Sequence, residues 1–224
     1  MIALLGQICG NRDKRLREAR QKVRPMLNGA VPWLLAQELA RVQSFLWAVA
    51  KDVAQPSRSA WCYGDLGIAV GLLQAARGAR EASWEEEALR IARRCAERPA
   101  EQCGVVDCGR HGAAGVGHLF NRLFQASGEK TFKDAARFWF ACTLEMRQVD
   151  KAIAGLRARR PDLDRPGEVG WFADPGILGG AAGIGLALLA AATEIEPSWD
   201  RMMLISIPRG TPWLQPILCN PFRT

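Results

Sequence analysis

The sequence predicts an all-α chain built as an array of helical hairpins. Three observations predict it: a glycine pattern that recurs ahead of apolar runs, apolar residues at helical intervals between the copies, and a scarcity of strand signals. The pattern is G-x-x-G followed by an apolar residue, and it starts at Gly64, Gly112 and Gly180. The copies lie 48 and 68 residues apart, a period that suits units of two helices, each leaving an apolar face for the next to cover. A residue without a side chain lets backbones approach closely where helix ends crowd together, and it permits turns with positive φ.

The elements follow in order. An N-terminal helical stretch is expected over roughly 13 to 52, then a polar loop, Gln55 to Ser59, ahead of the first glycine pattern. Leu66 to Arg77 pairs with Trp84 to Glu97, and Ser83 with Glu86 three positions on has the capping-box arrangement. Ala113 to Ala126 pairs with Thr131 to Arg157, and Ala181 to Thr193 pairs with a short piece around Trp199 to Ile205. Loops rich in Gly, Pro and Asp separate the units at Cys103 to Gly112 and Pro161 to Gly180. The last segment holds Pro208, Pro212, Pro216 and Pro221, too many for a helix. The expected organisation is therefore one helical unit over 1–205 and an irregular Pro-rich tail over 206–224.

With 224 residues, 49% of them hydrophobic and 24% charged, the chain can bury a core as a single domain. The net charge of +7 comes largely from Asn11 to Pro25, Arg93 with Arg94, and Arg157 to Arg160. These stretches also hold apolar residues at helical intervals, so they read as solvated helix faces. No zinc-finger spacing or aromatic-basic motif accompanies the charge, which argues against nucleic acid as a partner. Seven cysteines, an odd number spread along the chain, read as free thiols in a reducing compartment, and the cytoplasm is expected. The opening apolar run precedes the positive charges, the reverse of a secretory signal. Pro175 to Thr193 is nineteen residues without a formal charge. Its two sister runs carry Gln74, His118, Asn121 and Arg122, so it reads as an inner helix rather than a membrane span.

The residues beside the glycines carry chemistry. Cys62 precedes Gly64 by two positions and His111 precedes Gly112 by one, so equivalent helix entrances would bring a thiol and an imidazole to the same end of adjacent inner helices. Those are zinc ligand types, and a catalytic zinc needs three protein ligands with a fourth position open. The position equivalent to Cys62 in the second copy is Arg110, which stays protonated and cannot coordinate a cation. Cys108 is the nearest replacement. The residues alone leave open the alternative in which Cys108 is a loop thiol and His111 a hydrogen-bonded histidine.

Three stretches in order resemble the lanthionine synthetase C-like family, the cyclases of lantibiotic biosynthesis. They run from Ser57 through Trp61-Cys62-Tyr63-Gly64 to Gly67, from His111 to Val116 with His118 to Arg122, and from Gly176 to Gly185. The resemblance covers about residues 30 to 205 and implies an α/α toroid of nested inner and outer helices, here a partial one. It implies zinc held by Cys62 and His111 with Cys108 as the substitute third ligand, and catalytic roles for Arg58 and Tyr63, which flank the first cysteine. The second metal cysteine of the family stands immediately before the histidine, where this chain has Arg110.

The activity implied is addition of a peptide cysteine thiolate to dehydroalanine or dehydrobutyrine, closing a thioether ring. The implied partners are the dehydrated precursor peptide and the dehydratase of the same pathway. The resemblance reaches only the C-terminal part of a family member, whose N-terminal repeats carry an acid/base histidine and an aspartate. Arg110 and those repeats favour a second expectation, a cyclase-like scaffold that binds peptide or partner without closing rings. A third, a carbohydrate-active α/α barrel, needs a pair of carboxylates on facing loops, for which Asp65, Asp107 and Asp174 stand near the three helix entrances.

Overall fold

The computed structural model describes residues 1–39, 44–47, 55–109, 111–207 and 217–218. Seven α-helices dominate the described residues: α1 (Ile2–Gly10), α2 (Arg17–Leu35), α3 (Asp65–Ala79), α4 (Ala82–Glu97), α5 (Ala113–Ser127), α6 (Lys130–Glu145) and α7 (Ala181–Ala192). Inner and outer helices separate by composition. In α5 every residue from Ala113 to Gln125 is buried, whereas α4 fully buries only the stripe Ala88, Ile91, Ala92 and Cys95. The outer helix α6 does the same with Phe132, Ala136, Trp139, Phe140 and Thr143.

Helices α1, α3, α5 and α7 pack in succession as an inner row, and α2, α4 and α6 cover α1, α3 and α5 as hairpin partners. The first inner helix, α1, is an addition to the expected array, since its only sequence trace is Gly6 and Gly10. A side chain at Gly78 of α3 would strike the Gly6 carbonyl at 1.9 Å, so these two helices meet backbone to backbone.

Several boundaries differ from expectation. The stretch expected as helix over 13 to 52 stops at Leu35, beyond two internal prolines, Pro25 and Pro32. It continues among the described residues as β1 (Glu38–Leu39) and β2 (Ser44–Trp47), which pairs antiparallel with both β1 and β3 (Gln55–Pro56). Ser83 lies inside α4, whose N-cap is Glu81 with no side-chain cap bond, so the capping box is not used. Helix α6 ends at Glu145, and Arg157 to Arg160 leads into β4 (Ala158–Pro161), paired antiparallel with β5 (Val169–Phe172). There the guanidiniums of Arg157 and Arg160 sit over Trp171 and Phe172, so this basic cluster is a decorated hairpin rather than a helix face. Arg94 pairs with Glu38 and is largely buried, unlike the solvated arginine expected.

The piece after α7 forms a 3-10 turn, Ser198–Met203, that packs into the inner row rather than outside it. Asp200, fully buried, meets His118 Nε2 at 3.1 Å and Arg122 Nε at 3.1 Å, both from α5. Trp199 stacks on His118 with ring centroids 4.7 Å apart. Of the expected tail, Ile217 and Leu218 are described beyond Ile207. Ile217 is buried, and Leu218 N–H donates to the Ala191 carbonyl of α7 at 3.1 Å. Residues 208–216 and 219–224, with Cys219, lie outside the described residues, as does Arg110. No helix among the described residues is long and apolar enough to cross a membrane.

Candidate functional site

The glycine motifs build the helix entrances by letting the preceding loop fold back over each inner helix start. The second glycine of each motif donates its N–H to that loop: Gly67 to the Ala60 carbonyl at 2.9 Å, Gly115 to Gly109 at 3.3 Å and Gly183 to Gly176 at 3.4 Å. These bonds satisfy helix-start donors that have no partner within the helix. The capping glycines Gly64, Gly112 and Gly180 have negative φ. Their task is therefore close approach and not the positive φ also anticipated.

Asp65, the first residue of α3, fixes the first entrance. Its carboxylate accepts from Ser44 Oγ at 2.8 Å, from the Phe45 N–H at 3.0 Å, and from Ser57 and Arg98. Asp107 accepts from Gly109 N–H at 2.9 Å and Asp174 from Gly176 N–H at 2.6 Å, each closing its own entrance loop. Each of the three carboxylates thus accepts hydrogen bonds that hold its entrance loop in place.

The two entrances bring the thiol and the imidazole together. Cys62 Sγ stands 2.9 Å from His111 Nδ1, and the Arg58 guanidinium donates to the same sulfur at 3.3 Å. Burial pushes the Cys62 thiol up, but the His111 hydrogen bond and charge and the Arg58 guanidinium outweigh it and hold the thiol below its ordinary value of 9.0. Trp61 walls the pair, its ring 5.9 Å from the imidazole. Tyr63 follows with φ at +52° and lies 70% exposed at the mouth. Arg58, Cys62, Tyr63 and His111 therefore share one region.

Cys108 does not join them. It is 2% exposed, its thiol donates to the Arg157 carbonyl at 3.3 Å, and burial pushes it above its ordinary range. No group of three His, Cys, Asp or Glu side chains able to hold a metal ion occurs among the described residues. Two ligands of one tetrahedral zinc, at about 2.3 Å for sulfur and about 2.0 Å for nitrogen, stand about 3.5 Å apart. Cys62 and His111 are closer than that, at hydrogen-bond distance. The donors have the right chemistry for zinc, but they number two, and the set does not fit a three-ligand centre.

Cys62 and Tyr63 also line an apolar cavity of about 530 Å³, together with Ile2, Trp33, Trp61 and Leu204, a volume in the range of small-ligand and peptide side-chain pockets. Arg58 and His111 reach the Cys62 sulfur from outside that lining. The turn Ser198–Met203 belongs to the site too, because Trp61 Nε1 donates to the Met203 carbonyl at 3.1 Å. Sequence reasoning missed this brace. Its signal was His118 and Arg122 four residues apart on a buried inner helix, polar groups that needed a buried partner.

The fold and site define a ring of helical hairpins with a thiol and an imidazole at its inner helix entrances. The chain belongs to the lanthionine synthetase C-like family: the family model described as lanthionine synthetase C-like protein matches residues 20–204. Among solved structures it is similar to nisin cyclase, with TM-score 0.59 and 19% identity over 92% of this chain and 48% of that one. The fold is accordingly an α/α toroid, of which this chain spans about half the length of the matched structure. No curated protein matches the chain in sequence.

Proposed function

We propose that this chain acts on a dehydrated precursor peptide in thioether-forming chemistry of the cyclase type. The observation that carries the reading is the convergence of Arg58, Cys62 and His111 beside the apolar cavity at the inner helix entrances. Addition of a thiolate to dehydroalanine or dehydrobutyrine develops an enolate, and a fixed guanidinium such as Arg58 stabilises that charge. The cavity takes the apolar flank of the peptide, and Tyr63 at its mouth meets the peptide as it enters. The dehydratase of the same pathway is the partner that supplies the substrate. A cytoplasmic setting belongs to the same reading, since the six described cysteines are all free thiols.

Zinc would make the peptide thiol a better nucleophile at neutral pH. It enters this reading only with a third donor beside Cys62 and His111, so no step is assigned to it. The engagement of Cys108 with Arg157 favours the second reading, a scaffold that holds the modified peptide without closing rings. Incubation with a dehydrated precursor, followed by mass spectrometry, separates the two: loss of free peptide thiol at constant mass supports ring closure, and binding with the thiol retained supports the scaffold. Zinc measured after desalting is expected well below one per chain and unchanged in Cys108→Ala. One zinc per chain, lost in both Cys62→Ala and Cys108→Ala, would restore a three-ligand centre.

A further inference from the structure

We propose that the base of the β4–β5 hairpin is a docking shelf for an acidic segment of the peptide that the entrance site receives, a reading that rests on the proposed function. The hairpin stands on the same rim as the helix entrances. Cys108, in the loop that delivers His111, donates to the Arg157 carbonyl at 3.3 Å. That loop also meets the third entrance, where a methyl added at Gly109 would lie 2.9 Å from the Gly179 carbonyl oxygen. The Ser59 N–H ties the first entrance to the same loop through the Cys103 carbonyl at 2.9 Å. The three entrances and the hairpin therefore form one continuous surface.

Charge is divided along this hairpin. Its acids lie at the tip, where Asp162 and Glu168 each pair with Arg165 at 3.0 Å and Asp164 is exposed. Its base carries Arg157, Arg159 and Arg160, none of which has a carboxylate partner among the described residues. The Arg157 guanidinium donates to Gln148 Oε1 and to the Trp171 carbonyl, both neutral, and Arg160 lies over the Phe172 ring. Arg159 is exposed and stands opposite Trp171 in the strand register, so their side chains share one face of the hairpin. Val169, two residues from Trp171, lies on that face too. Trp171 is 43% exposed and Val169 49%. A guanidinium presents paired donors to a carboxylate, and a tryptophan ring beside it receives an apolar neighbour. The shelf therefore fits a segment in which Asp or Glu alternates with apolar residues. The wholly basic base beside the entrances favours it over a neutral one.

The test uses the full chain and a short fluorescein-labelled peptide in which Glu residues flank a central benzoylphenylalanine, with its Gln counterpart beside it. Anisotropy reports binding, and photocrosslinking with peptide mapping reports the place. The Glu peptide is expected to crosslink within 157–172. It should bind at least about fivefold more weakly to the double variant Arg157→Gln, Arg159→Gln, the loss that two exposed guanidinium–carboxylate contacts bring. Arg12→Gln with Arg17→Gln removes the same charge from the other basic stretch and should leave binding within about twofold. Circular dichroism establishes that each variant is folded, and the single change at exposed Arg159 carries the test if the double variant does not fold. Equal weakening in the two double variants, equal binding of the Glu and Gln peptides, or crosslinks confined to 11–25 overturns the proposal. Ring closure on a dehydrated precursor, with crosslinks away from the hairpin, overturns the shelf and keeps the proposed function. Crosslinks at the hairpin with the precursor thiol retained uphold the shelf and remove ring closure instead.

Discussion

A methyl group added at Gly67 would lie 2.0 Å from the Trp61 carbonyl oxygen, and one added at Gly183 would lie 2.0 Å from that of Ile177. Real atoms do not approach so closely, so each entrance loop sits where it does because a hydrogen atom takes the place of a side chain. Gly185, two residues beyond Gly183, is exposed with nothing within 4 Å of such a methyl. The two kinds of glycine therefore predict opposite outcomes. Gly67→Ala should destabilise the chain by roughly 1–3 kcal/mol, since overpacking forces the loop or the helix to move. Gly185→Ala should stabilise it by about 0.5–1 kcal/mol by lowering the backbone entropy of the unfolded chain. Urea titration of both variants against the parent checks the pair. Because Trp61 walls the site, Gly67→Ala also carries a functional cost that Gly185→Ala lacks.

Between elements, ion pairs decide how the small sheet joins the helical hairpins. Glu38 of β1 accepts from Arg90 at 2.6 Å and from Arg94, both on α4. Burial pushes its carboxyl up, but the bonds and charges of Arg90 and Arg94 prevail and hold it below the ordinary value of 4.5. A carboxyl depressed on folding contributes stability that is fully present above its unfolded pKa and lost as pH falls through its folded pKa. Glu38→Gln is therefore expected to cost about 1–3 kcal/mol at pH 7. The difference should shrink as pH is lowered below 4.5, in urea titrations run across that range. A gap that stays constant with pH would mean that packing, and not charge, holds β1 against α4. Arg98, which caps the C-terminal end of α4, reaches Asp65, so arginines on and just beyond α4 tie down both the sheet and the first helix entrance.

Across the molecule, the turn Ser198–Met203 links distant parts of the ring. Asp200 bonds His118 and Arg122 of α5, the Met203 carbonyl accepts from Trp61, and the Leu204 carbonyl accepts from Gln74 of α3, itself bonded to Gln7 of α1 at 2.8 Å. Two inner helices, α3 and α5, thus bond one short segment directly, and α1 is linked to it through Gln74. Burial pulls the Arg122 guanidinium below its ordinary range while Asp200 opposes the pull, which marks the pair as a charge held out of water by its partner. Asp200→Ala should cost roughly 3–5 kcal/mol, because it leaves Arg122 buried without that carboxylate. Thermal and urea unfolding both report it, and a loss under about 1 kcal/mol would mean that the segment is an accessory to the ring.

Particular residues mark what was legible beforehand. The inner helices α3, α5 and α7 were readable because each combines a glycine entrance with an apolar run, and their composition alone demands burial. The convergence of Cys62 with His111 was readable because repeats place equivalent residues at equivalent ends. Helix α1 was not readable, since one short copy lacking the G-x-x-G pattern carries no period. The strands β4 and β5 were not, because Arg157 to Arg160 continues a helical spacing until cross-strand pairing with Val169 to Phe172 overrides it.

By itself the sequence determined the helical repeat, the family resemblance and the residues gathered at the inner entrances, because these depend on period and on side-chain type. Only the tertiary structure decided that Cys108 belongs to Arg157, that Asp65, Asp107 and Asp174 serve the loops, and that the turn anchored by Asp200 braces Trp61 through the Met203 carbonyl. Such choices turn on which of several available hydrogen-bond partners comes within about 3 Å, and distance in the chain carries no record of that.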